Sequence, residues 1–313
     1  MLTRIAGNCF WLARYLERCE NNARLLRMAE AHACLPESVD DPVGLWSTAL
    51  EVGGTLDDYE ARIGAVERSQ VVRFMVLDRE NSSGIVACMR ALRDNARSAR
   101  HLLTEQAWEA INESWQEAQQ LDEARLADLG VEGVVGWTLQ RCRLIRGCFE
   151  DLWRDAVPHV LDLGAAVERA DFTARILAEM VPPLLEHGLQ VPDLCGPVCR
   201  RWRSLLAGLG MTETWRRERA TALEPVEVLR LILLHPTSPH SLLVNVRHMA
   251  TAITGFAGAD RGGRSLAIAH AFERQVQVAD IPALCRQGLH TFLAALTTTT
   301  NRLGGEVNGE HFS

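Results

Sequence analysis

Glu17-Arg18-Cys19-Glu20-Asn21-Asn22-Ala23-Arg24-Leu25-Leu26 returns later in the same chain as Glu168-Arg169-Ala170-Asp171-Phe172-Thr173-Ala174-Arg175-Ile176-Leu177. The shared pattern, E-R-x-[ED]-x3-R-[LI]-L, keeps two acids and two arginines along with the apolar frame, so it is more than two helices of similar hydrophobic spacing. On a helix turning about 100° per residue, Glu17, Glu20 and Arg24 fall within roughly 60° of one another. Leu12, Leu16, Cys19, Ala23 and Leu26 gather on the opposite side, so an acid-arginine edge borders a face that packs against another helix. The second copy sets Glu168, Asp171 and Arg175 beside Leu163, Val167, Ala170, Ala174 and Leu177 in the same way. If the two helices are neighbours, their carboxylates and arginines converge on one site. If they are not, each copy is an intrahelical ladder of ion pairs, each contributing about 0.2–0.5 kcal/mol.

Helical spacing dominates the rest of the chain, and no run of alternating β-branched residues interrupts it. The fold class is therefore all-α. We expect one helical-bundle-like body over 1–313, in which the two E-R-x-[ED]-x3-R helices are pseudo-symmetric and face a stripe of arginines. The spacing predicts helices over about 4–33, 42–66, 83–103, 105–128, 132–156, 158–180, 197–209, 213–221, 225–235, 239–256, 263–279 and 281–302. Thr104 and Thr212 stand where N-caps are expected, and Pro225 suits a first helical turn that needs no N–H. Gly304-Gly305 is expected to end the last helix and leave a loose tail. The stretch from Val181-Pro182-Pro183 to Pro197 reads as a joint between sub-halves 1–181 and 182–313.

All 33 basic residues are arginine, for the chain contains no lysine. That excludes a G-x4-G-K phosphate loop, a lysine Schiff base and any ligase site that relies on a lysine, so the chain is not expected to be an ATPase by itself. The net charge of −7 disfavours nucleic acid as a partner. Nine cysteines, mostly at apolar helical positions such as Cys19, Cys88 and Cys285, point to reduced thiols and a cytoplasmic location. Met1-Leu2-Thr3-Arg4 does not open a signal peptide, and no window approaches eighteen apolar residues, so no membrane partner is expected.

A second charged feature follows Asp78-Arg79-Glu80-Asn81-Ser82-Ser83-Gly84. Arg90, Arg93, Arg97 and Arg100 lie within about 80° of one another on a helix, and Asp94 is too far round to relieve them all. Such a stripe needs acids from other helices, the repeated motifs being the obvious source, or an anionic ligand. Arginine forks also hold a carboxylate bidentately. Asn81-Ser82-Ser83 is either an anion seat at a helix N-terminus or an ordinary cap. Arg200-Arg201-Trp202-Arg203 and Trp215-Arg216-Arg217-Glu218-Arg219 interleave aromatics with arginine, a pattern shared by amphipathic surfaces and base-stacking platforms. No Glu-x-x-His occurs, Cys195-Gly196-Pro197-Val198-Cys199 lacks a second pair, and His235, His240 and His248 fit no ligand spacing, so neither metal nor cofactor is expected.

With these segments laid out, the chain resembles the alpha-E family of helical bacterial proteins. Trp11-Leu12-Ala13-Arg14-Tyr15-Leu16-Glu17-Arg18-Cys19-Glu20-Asn21 is similar to the family's W-L-G-R-Y-x-E-R-A-E-N. The likeness continues at Asp78 to Ser83, at Ala91-Leu92-Arg93-Asp94-Asn95-Ala96-Arg97-Ser98-Ala99-Arg100, at Trp108-Glu109-Ala110-Ile111-Asn112, and from Leu163-Gly164 to Arg175. Pro239-His240-Ser241 resembles a family P-R-S. Three positions depart from the pattern: Ala13 stands for a glycine, Ala165 for an arginine and His240 for another arginine.

The resemblance implies a context. Alpha-E proteins are encoded beside, or fused to, circularly permuted ATP-grasp ligases, often with a transglutaminase-like protein. It therefore implies a component of an amide- or peptide-forming system, catalytic or accessory, whose ATP-grasp partner makes the acyl phosphate. On that reading Glu17, Glu20, Glu168 and Asp171 bind the ammonium of an amino-acid or peptide substrate or act as a general base toward it. Arg93, Arg97 and Arg100 hold its carboxylate, and the motif residues Arg14, Arg18, Arg24, Asn95, Arg169 and Arg175 complete the site. A non-catalytic helical scaffold, with the polar cluster fixing helix register, is the alternative.

Overall fold

A computed structural model of the chain describes residues 3–33, 43–153, 156–189, 196–218, 223–258 and 263–312. Cys195, Arg219 and the final Ser313 lie outside the described residues. The structure is 84% helical with no strand among the described residues, so the class is all-α. Two compact units form, Met1–Ala165 with Phe312, and Ala166–His311.

In the first unit α1 (Thr3–Ala33) is central. α2 (Gly44–Gly53), α4 (Arg68–Val76), α5 (Ile85–Ser98) and α7 (Glu123–Cys148) pack against it, α3 (Leu56–Arg62) packs on α2, and α6 (Glu105–Gln119) packs on both α5 and α7. A helix covered on every side buries its polar edge together with its apolar face. Phe10, Leu12, Cys19, Leu25 and Leu26 are fully enclosed, and so, nearly, are Glu17, Glu20, Asn21 and Asn22. Each enclosed leucine contributes about 1.5–3 kcal/mol, which is what holds the charged edge away from water.

Several expected helices are shorter than their apolar spacing suggests, and glycine is the usual cause. The span 42–66 splits where Gly54 takes φ 68° and accepts the αL conformation that ends α2. The span 281–302 splits at Gly288, φ 93°, into α14 (Ile281–Arg286) and α15 (Leu289–Val307). α7 is broken within its length at Gly130, φ 66° and ψ 176°. The span 105–128 stops at Gln119, and Asp122 caps the next helix by accepting from the Arg125 amide at 2.8 Å. Thr104 does cap α6, accepting from the Ala107 amide at 3.2 Å. α4 was not expected, because its Val71-Val72 and Phe74-Met75-Val76 form a short apolar run without a clear helical period.

α8 (Ala156–Leu185) begins in the first unit and continues into the second. Pro182 and Pro183 lie within its last turn instead of marking a joint, and the division between the units falls earlier, inside the helix. At Gly164, a Cβ would stand 2.4 Å from the Phe10 carbonyl oxygen and 3.1 Å from the Ala13 Cβ. Ala13 and Gly164 hold matched places, each four residues ahead of the motif's first glutamate. The helices of the two repeats therefore meet at equivalent positions.

The second unit contains α9 (Pro197–Gly208), α10 (Thr212–Glu218), α11 (Pro225–Leu234), α12 (Leu242–Ala257), α13 (Gly263–Gln277), α14 and α15. α12 packs on α11 and α13, α15 on α13 and α14, and α9 on α10 and α11. Trp202, Ile232, Val246, Met249, Phe272 and Leu293 are its fully buried centre. Pro225 is the first residue of α11 as expected. The loose tail is not observed: α15 passes through Gly304-Gly305 to Val307, and a π-turn follows over Asn308–Phe312. Both glycines keep helical geometry, so neither stops the helix. Within the first unit Phe312 stacks on Phe10 at 5.2 Å. Within the second, the Glu310 carboxylate accepts from the Arg264 and Ser265 amides at 2.7 and 2.9 Å, closing the N-terminus of α13.

Candidate functional site

The first motif is an ion cluster built on α1 and completed by α7. One nitrogen of Arg146, on α7, donates to Glu17 at 2.8 Å and also to Glu20. Arg24 donates to the other oxygen of Glu20 and reaches Asn21 Oδ1 at 3.4 Å. The Glu17 and Glu20 side chains are 2% and 3% exposed, whereas a third of Arg146 is in contact with solvent. The guanidinium is thus the part of the cluster that faces water.

These charges decide which protonation state prevails. Burial pushes the Glu20 carboxyl up, but the charges of Arg24 and Arg146 outweigh burial and the neighbouring Glu17, so its pKa ends below the ordinary value. Burial opposes the Arg146 charge, yet Glu17 and Glu20 raise its pKa above the ordinary value. Glu20 is therefore ionised at neutral pH. Behind it lies the Cys19 thiol, which is held neutral. A hydrogen bond with Cys142, burial, and the nearby Cys142, Cys88 and Glu20 push the Cys19 thiol well up. Such a thiol does not serve as a nucleophile.

Arg146 was not among the residues expected from sequence. Its signal was an arginine one turn beyond Cys142, on the border of the apolar face Val135, Leu139 and Cys142. That signal names a side chain at a helix edge without saying which helix it meets.

The second motif repeats the local part of this arrangement. Arg175 donates to Asp171 at 2.7 Å, an i,i+4 contact that matches Arg24 to Glu20. Glu168 and Asp171 are buried and Arg169 is half-buried. The ladder reading is thus correct for one acid and one arginine in each copy, though the acids are buried instead of solvated.

The arginine stripe does not face Glu17 and Glu20. α5 turns Ile85, Cys88, Met89, Leu92 and Ala96 inward, and its arginines lie on the flank next to α6. Arg93 and Arg100 sit over the Trp108 ring, at 5.9 and 5.1 Å from its centre. Arg97 and Arg100 are exposed, and the acid that Arg93 meets is its neighbour Asp94, at 3.3 Å. Asn95 donates to the Ala91 carbonyl of its own helix at 2.7 Å. Arg14 lies over Trp11 at 4.8 Å and Arg18 over Tyr15 at 5.5 Å. Asn81-Ser82-Ser83 forms a turn ahead of α5, whose N-cap is Gly84 without a side-chain cap: Asn81 Oδ1 accepts from the Ser83 amide at 3.0 Å, and Asn22 of α1 donates to the Ser83 carbonyl.

Trp202 is wholly buried and offers no face to a base, while Arg216 pairs with Glu213 on the surface. His235 Nδ1 accepts from the Thr237 and Ser238 amides in the loop leading to α12, whose N-cap is Ser241. Among the described residues no group of three His, Cys, Asp or Glu could hold a metal ion. No described helix is long and apolar enough to cross a membrane.

A family model described as a predicted alpha-helical domain with a conserved ER motif matches residues 1–312. The chain carries Glu-Arg in both repeats, at Glu17-Arg18 and Glu168-Arg169. No curated protein and no solved structure matches it.

Proposed function

The chain belongs to the Alpha-E family, and from that premise we propose that it is a component of an ATP-grasp-associated amide- or peptide-forming system that binds an amino-acid or peptide substrate at the Glu/Arg cluster. The observation that carries this reading is the buried Glu17–Glu20 pair bridged by a partly exposed Arg146. An ionised Glu20 is a poor general base and a good seat for an ammonium group, so holding the amine is the role that suits it. The substrate carboxylate then belongs to Arg146 and Arg24, in place of the stripe on α5. A lysine-free chain without a phosphate loop leaves acyl-phosphate formation to its ATP-grasp partner, and a transglutaminase-like protein is a further proposed companion.

A scaffold without chemistry is the second reading, and the same cluster supports it. Glu17 and Glu20 are matched in charge by Arg146 and Arg24, so the group is complete without a ligand. Glu17→Gln and Glu168→Gln separate the two readings. Assayed with the cognate ATP-grasp protein, amide formation falls by roughly 10²-fold in each if the site acts on the amine. Glu20→Gln raises KM for the amine-bearing substrate by roughly tenfold, the loss of one charged hydrogen bond. Activity and melting temperature failing together would favour the scaffold, and full activity in all three variants would remove the site assignment.

A further inference from the structure

α5 and α6 present two helical stripes of opposite charge on the outer surface of the first unit. Arg97 near the end of α5 and Arg100 in the turn after it are exposed and Arg93 is partly so, and among the described residues the stripe's one acid contact is Asp94. The Nε of Arg93 is enclosed without a hydrogen-bond partner. On α6, Glu105, Glu109 and Glu113 recur at i, i+4 and i+8, all exposed, and none forms an ion pair or side-chain hydrogen bond among the described residues. Trp108 joins the stripes, since Arg93 and Arg100 lie over its ring and it stands beside Glu109 on α6. Stacking on that ring holds two of the guanidinium forks in fixed orientation, which lowers the ordering cost of binding a carboxylate.

We infer that this face joins two copies of the chain, with Arg93, Arg97 and Arg100 of each copy meeting Glu105, Glu109 and Glu113 of the other. The charges argue for a second copy over any other acidic partner. A face with one basic and one acidic side is exchanged side for side by a two-fold axis lying in that face, between the stripes and parallel to them, so both halves of the contact form at once. A foreign acidic segment would satisfy the arginines and be repelled by the glutamates alongside.

The inference is independent of the amide-forming role, and sedimentation over a concentration series tests it. The wild-type protein is expected to pass from monomer to dimer as concentration rises. The triple variant R93E/R97E/R100E makes both stripes acidic, and E105R/E109R/E113R makes both basic. Each alone is expected to remain a monomer, while an equimolar mixture forms a heterodimer because every facing pair is again opposite in sign. The gentler R97E and E109R, at side chains with no ion pair or hydrogen bond among the described residues, should each weaken the dimer by roughly tenfold, one charge pair turned repulsive on each side of the axis. Circular dichroism confirms that each variant is folded. A wild-type monomer at all concentrations, a dimer indifferent to either reversal, or a mixture that stays monomeric would each overturn the inference, including the case in which the stripe binds another macromolecule instead.

Discussion

Arg146 is the side chain on which the balance of the buried cluster depends. Removing it leaves Glu17 and Glu20 enclosed with Arg24 as the neighbouring cation. Arg146→Ala is expected to cost about 3 kcal/mol, the lower end for breaking a buried pair, because a third of the arginine already meets water. A denaturant midpoint measures it, and Arg146→Lys should recover only part, since a flexible, strongly hydrated ammonium replaces a planar guanidinium of fixed donor geometry. The Glu20 carboxyl adds a pH dependence whose sign follows from its lowered pKa. Stability from this group is complete above the ordinary carboxylate pKa and is lost as pH falls through the lower folded value. The melting temperature should therefore fall between about pH 5 and pH 3, and less steeply in Glu20→Gln. A Glu20→Gln curve parallel to the wild type would count against an ionised Glu20. The acids and Arg24 were legible in the sequence because one helix carries them at i,i+4. Arg146 was not, because its meeting with α1 depends on how distant helices pack.

Helix contacts and helix ends were legible to different degrees for the same kind of reason. The inward faces of α1 and α5 could be read from spacing, as could the Thr104 cap and Pro225, because a few residues determine each. The stops at Gly54 and Gly288 were missed because a glycine interrupts a helix only when it adopts positive φ, and Gly304 and Gly305 do not, whereas the break at Gly130 falls in the expected gap between 105–128 and 132–156. The charge stripe on α5 was read correctly as a stripe and assigned the wrong neighbour, since periodicity orders residues around one helix without fixing its rotation against the next. Gly164 tests the contact between the two repeats directly. A methyl group there would stand 2.4 Å from a carbonyl oxygen of α1, and a backbone atom cannot rotate out of the way. Gly164→Ala should cost about 1–3 kcal/mol through overpacking. Gly147→Ala on α7, where a Cβ meets nothing within 4 Å, should instead raise stability by about 0.5–1 kcal/mol. Opposite signs at two helical glycines would separate a packing constraint from helix propensity, and equal effects would deny the close approach.

The tail draws on both units of the chain, and sequence reading erred most there, taking two glycines for an end. Asn308–Phe312 instead continues the helix as a π-turn, and its last residues are tied by specific contacts. Phe312 lies against Phe10 in the first unit, and Glu310 closes the α13 N-terminus in the second. Burial raises the Glu310 carboxyl, but the amides of Ser265 and Arg264 lower it further, so the cap is strongest while the carboxylate is ionised and weakens as pH falls through its lowered pKa. Glu310→Ala should cost about 1 kcal/mol, as for other lost N-caps, and Phe312→Ala about 1 kcal/mol for the ring contact. Because the contacts lie in different units and share no partner, their losses should add. Deleting residues 308–313 is then expected to cost about 2 kcal/mol in a denaturant titration. Hydrogen exchange distinguishes the two parts: the Arg264 and Ser265 amides should exchange faster in Glu310→Ala and remain protected in Phe312→Ala. A deletion that leaves both the midpoint and those amides unchanged would mean that the tail rests on the protein without holding it.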